Sequence, residues 1–63
     1  DLFEYVFRLN EIQMIDKIVW ERWKLLIETI MTIPKFRIIW TKTRESHPDK
    51  KFRDFIDSSF IQI

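Results

Sequence analysis

Cysteine, glycine and alanine are all missing from this 63-residue chain. Without cysteine there is no disulfide framework and no thiolate metal site, two of the usual supports of a small domain. Without glycine, left-handed helix caps and primed hairpin turns lose their usual residue, which counts against a β-meander. A signal peptide and any run of 18 apolar residues are also missing. The chain as written therefore reads as a soluble one, cytoplasmic or on the cytoplasmic side of a membrane.

What is present is bulky: eleven Ile, six Phe and three Trp. A chain of this length buries only about 60% of the surface its unfolded form exposes, so it is marginal alone. The expectation is a single helical module over residues 1–63, part of a longer protein or of an oligomer. The formal net charge of +1 argues against a general polyanion binder. The halves differ mildly: residues 1–33 hold four bases and six acids (−2), and residues 34–63 hold seven and four (+3).

The apolar spacing predicts an all-α fold, with one long helix over about 2–32 followed by two short helices, about 34–45 and 48–60, packed back on it. Its main stripe is Tyr5, Leu9, Ile12, Val19, Trp23, Leu26, Ile30 and Ile33, in steps of three and four. Uninterrupted, such a helix is about 45 Å long. Asn10 is the alternative break, because Asn caps helices well and Gln13 stands three residues on to close a capping box. A second apolar line, Phe3, Phe7, Met14, Ile18 and Leu25, lies roughly opposite the first and is the candidate interface with a partner chain or a neighbouring part of a longer protein. Asp16 falls on the main stripe, where a lone carboxylate acts as a register-setting residue.

Pro34 removes a backbone donor and pushes Ile33 out of the helical region, so the long helix should end near Thr32 and the next begin at Pro34. Phe36, Ile39, Trp40 and Thr43 form its expected buried line. Pro48 repeats that punctuation, with Asp49 in the first turn of the last helix. There Phe52, Phe55, Ile56, Ser59 and Phe60 face inward, and Ile61 and Ile63 trail off as an apolar end. Trp23 and Trp40 read as core, and Trp20 as an edge residue.

Catalytic chemistry has little to work with. There is no thiol, the serines sit by turns or helix ends, and the single histidine, His47, is a natural turn or N-cap residue before Pro48. Glu11, Asp16, Glu21 and Glu28 come without a Glu-x-x-His pair, so no metal site and no cofactor site is expected. The basic residues Lys35, Arg37, Lys42, Arg44, Lys50, Lys51 and Arg53 make nucleic acid the alternative partner, since two short helices around a turn also suggest a helix-turn-helix. They are spread around their helices rather than gathered on one face.

The order W-x-x-W (Trp20, Trp23), P-x-F-R-x-x-W (Pro34, Phe36, Arg37, Trp40), a basic loop and F-x-x-F-I-D (Phe52, Phe55, Ile56, Asp57) resembles the C-terminal part of small bacterial proteins of unassigned function, often with an N-terminal membrane-anchoring helix. The likeness covers about residues 15–60. It implies no activity, and it implies a membrane helix upstream of Asp1. The function expected is that of a non-enzymatic helical interaction or oligomerisation module.

Overall fold

The structure, a computed structural model, describes residues 1–61, and all its regular elements are helical. Four α-helices follow one another: α1 (Leu2–Glu11), α2 (Lys17–Met31), α3 (Pro34–Thr43) and α4 (Lys50–Ile56). A 3₁₀ turn, Arg44–Ser46, follows α3, and a π-helical turn, Asp57–Ile61, continues α4. The molecule measures 30 × 23 × 18 Å. A single helix over residues 2–32, about 45 Å long, would not fit within it.

The long helix is in fact two, and the break lies beyond Asn10. Ile12 closes α1, Gln13 takes the left-handed conformation with φ 60°, and its N–H donates to Asn10 O at 3.0 Å. The Met14 N–H then reaches back to Leu9 O at 2.8 Å. This pair of bonds is a Schellman ending, normally built on glycine. With no glycine available, Gln13 carries the left-handed turn and its steric cost. Asp16 is consequently not a seam residue: it is the exposed, extended residue ahead of α2, with no side-chain cap bond.

The remaining boundaries follow local chemistry. Thr32 caps the end of α2, Ile33 is extended with φ −87° and ψ 117°, and Pro34 sits in the first turn of α3. The last helix starts at Lys50 rather than Pro48, because Asp49 is its cap and accepts the N–H groups of Lys51 and Phe52. Asp1 caps α1 in the same way, accepting from Glu4 N at 2.8 Å.

The reversal between α1 and α2 decides which stripe is buried. Phe7, only 4% exposed, stacks on Phe55 (5.2 Å between centroids) and meets Trp20 and Phe52 edge-on. Val6, Trp20, Ile27, Trp40, Phe52, Ile56 and Ile61 complete the buried core. Trp20, the expected edge residue, is therefore inside, and Trp23 is only half-buried against the Phe3 ring. Conversely, Tyr5, Ile12, Val19, Leu26 and Ile33 of the expected main stripe are exposed. On α3 only Trp40 is buried, while Phe36 and Ile39 face solvent. Ile61 packs into the core, and Ile63 lies outside the described residues.

Candidate interaction surface

Once the core is filled, α2 still has an apolar side to spare. At about 100° per residue, Trp20, Ile27 and Met31 share one arc, and Ile18 and Leu25 lie about 160° from it. Ile18 is 71% exposed and Leu25 62%. With Lys17, Glu21 and Arg22 they border a shallow hollow of about 360 Å³. Val19 and Leu26, also exposed, widen this face on the far side of Arg22. Of the five candidate interface residues, then, Phe7 is core and Phe3 packs on Trp23, both covered by their own chain, while Met14, Ile18 and Leu25 point outward.

Helix α3 presents the second such face. Its ten residues include no acid, and Lys35, Arg37 and Lys42 make no ion pair among the described residues. Lys35, Ile38 and Lys42 share an arc of roughly 60°. Ile38 is 57% exposed, and with Arg37, Thr41, Lys42 and Ile61 it lines a hollow of about 350 Å³.

The other basic residues are differently placed. Arg44 pairs with Asp57 and Glu45, Lys50 with Asp54 at 3.5 Å, and Arg53 donates to His47 O at 2.9 Å. Lys51 is exposed and makes no ion pair among the described residues. The seven cations proposed for nucleic acid are thus divided three ways: Arg44, Lys50 and Arg53 in internal bonds, Lys35, Arg37 and Lys42 on α3, and Lys51 alone on α4.

Two polar clusters tie the helices together. In the first, Asp57 receives the Trp40 indole N–H and the Arg44 guanidinium. Burial pushes the Asp57 carboxyl up, but those two donors outweigh it and hold the group below the usual carboxylate range. The hydrogen bond to Asp57 in turn raises Arg44, against the opposing effect of burial. In the second cluster, Arg8 of α1 donates to Asp49 at 3.1 Å. Burial again works to raise the Asp49 carboxyl, and the Arg8 bond and two backbone N–H groups bring it below its ordinary value.

Beside Arg8, the buried Glu4 holds Oε2 without a hydrogen-bond partner among the described residues, 3.8 Å from His47 Nδ1. Asp1 lies 3.7 Å from the same nitrogen, and the imidazole packs on Trp40 and Phe52. This arrangement joins the start of α1 to the α3–α4 connection. Ser46, next to His47, gives its hydroxyl to Thr43 O. No set of three His, Cys, Asp or Glu side chains among the described residues could hold a metal ion, and no helix there is long and apolar enough to cross a membrane.

Sequence reasoning left the exposed Ile38 out of the candidate surface and treated Glu21, Glu28 and the other charged residues as solvated faces. The available signal was the repeated spacing of charged and apolar residues along the outer arcs of α2 and α3. No family model, curated protein or solved structure matches this chain.

Proposed function

We propose that this chain is a non-enzymatic helical module that associates with a second copy of itself. The observation behind the reading is the exposure of Ile18, Leu25 and Ile38 on helices whose opposite sides already fill the core. Each leaves most of a large aliphatic side chain in water, at about 25 cal/mol for every Å² of apolar surface left uncovered. A core of eight buried hydrophobic residues among the described residues gives a chain this short little stability to spare. Covering these faces supplies the missing burial. An interface of about 800 Å² per partner would take roughly a sixth of the 4832 Å² surface.

Nucleic acid is the weaker reading. Arg44, Lys50 and Arg53 are already engaged within the chain, Lys35, Arg37 and Lys42 of α3 stand beside exposed isoleucine, and Lys51 is left by itself on α4.

Light scattering across a dilution series, with helicity followed by circular dichroism, tests the proposal. A dimer or larger species that loses helicity as it dissociates is the expected result. A well-folded monomer at all concentrations overturns it.

A further inference from the structure

Charge and spacing on the two outer faces are complementary. On α2, reading from its C-terminal end, Glu28, Leu25 and Glu21 are separated by three and then four residues. On α3, reading from its N-terminal end, Lys35, Ile38 and Lys42 are also separated by three and then four. At a rise of 1.5 Å per residue each set spans about 10 Å, with the aliphatic residue about 4.5 Å from one charge and 6 Å from the other. Each set keeps within an arc of roughly 60°. One row is acid, apolar, acid; the other is base, apolar, base.

We infer that a second copy lays its α3 antiparallel along α2, with Lys35 on Glu28, Ile38 on Leu25 and Lys42 on Glu21. This rests on the self-association reading and names the faces that meet. Leu25 and Ile38 are both mostly exposed, and Glu28, Lys35 and Lys42 have no ion pair among the described residues. Glu21 holds only Lys24 of its own helix, at 3.7 Å in an exposed pair, which contributes little and is readily exchanged.

Like-on-like pairing is disfavoured by the same residues. Two α2 helices stacked antiparallel through Leu25 set Glu21 beside Glu28 of the other copy, acid against acid. Two α3 helices stacked through Ile38 bring lysine to lysine. Opposite charges across an interface fix register and choice of partner more than they add affinity, while Leu25 and Ile38 supply the burial. The contact joins unlike faces, so a pair of copies that makes it twice is a closed dimer.

A charge-exchange experiment tests the pairing. Glu21→Lys/Glu28→Lys and Lys35→Glu/Lys42→Glu change only exposed positions, and circular dichroism at a concentration high enough for each variant to associate checks that it can still form its helices. Each variant alone is expected to associate at least about tenfold more weakly than the parent chain, and a 1:1 mixture of the two to recover association as a mixed species. The neutral Glu21→Gln/Glu28→Gln variant should fall between. If both charge variants associate as well as the parent, or their mixture recovers nothing, the α2–α3 pairing is wrong while self-association stands. A parent chain that never associates removes the underlying reading as well.

Discussion

The indole N–H of Trp40 is given to the carboxylate of Asp57, with 2.8 Å between Nε1 and Oδ1, which fastens α3 to the turn that follows α4. Arg44 holds the other carboxylate oxygen, so one acid serves a buried aromatic and a cation at once. Asp57→Ala leaves the indole N–H of a buried Trp40 without a partner and frees Arg44. The expected cost is about 2 kcal/mol of stability, because an unsatisfied buried donor pays its full desolvation. Urea unfolding monitored by tryptophan fluorescence measures it, and an unchanged midpoint contradicts it.

The same acid makes the fold sensitive to low pH. Asp57 and Asp49 titrate below their ordinary values in the folded chain, so the folded state binds fewer protons than the unfolded state as acid is added. Their stabilising contribution is complete above the unfolded carboxyl value of about 4 and is lost as pH falls through the lower folded values. Unfolding midpoints should hold between pH 7 and 5 on this account and drop below about pH 4. Asp57→Asn, compared over the same range, should show a shallower acid dependence.

Gln13 carries a left-handed turn at φ 60° without being glycine. Gln13→Gly relieves the clash of its Cβ and should raise stability by about 1 kcal/mol, partly offset by the greater freedom of the unfolded chain. In a domain of this size that is a rise in Tm of several degrees, about 4–8 °C per kcal/mol. Gln13→Val, β-branched at the same position, should lower it. Thermal unfolding of both variants decides the matter.

Substitutions along the second apolar line should separate core packing from association. Phe7→Ala opens a cavity among Trp20, Phe52 and Phe55 and should cost about 3–5 kcal/mol, enough to unfold much of a marginal domain. Ile18→Ser and Leu25→Ser lie outside the core, and each should cost the packing within the chain no more than about 0.5 kcal/mol beyond its effect on association. The Leu25 variant should nevertheless weaken self-association. Circular dichroism with light scattering reads both effects on the same samples.

How far each feature was legible depends on how local its cause is. Pro34 imposes its restriction on Ile33 and on its own nitrogen, so the start of α3 could be placed from sequence. Asp49 acts within its own helical turn, which puts the last helix where the carboxylate can accept Lys51 and Phe52 N–H groups, two residues after Pro48. The end of α1 carries no such mark. Its Schellman bonds run through Gln13, and glutamine is a good helix former that gives no warning of a left-handed turn.

The candidate surface was half legible for a related reason. Ile18 and Leu25 were visible as an unclaimed line, and both are outward. Phe3 and Phe7 belonged to the same line only while the helix was taken as continuous. Once the chain turns after Glu11, the two ends of that line no longer share a direction, and the phenylalanines swing onto Trp23, Phe52 and Phe55.

By itself, the sequence determined that the chain is helical, that Pro34 divides α2 from α3, and that an acid stands at the start of the last helix. These follow from hydrophobic period, a missing backbone donor and a carboxylate within reach of free N–H groups. Only the tertiary structure decided which residues became core: Phe7 from one line, and on α2 Trp20 and Ile27, which belong to neither. Periodicity sets the angle between two apolar lines on one helix but assigns neither to the inside, and that choice fell to the aromatic cluster that Phe7 makes with Trp20, Phe52 and Phe55 once the chain reverses at Gln13.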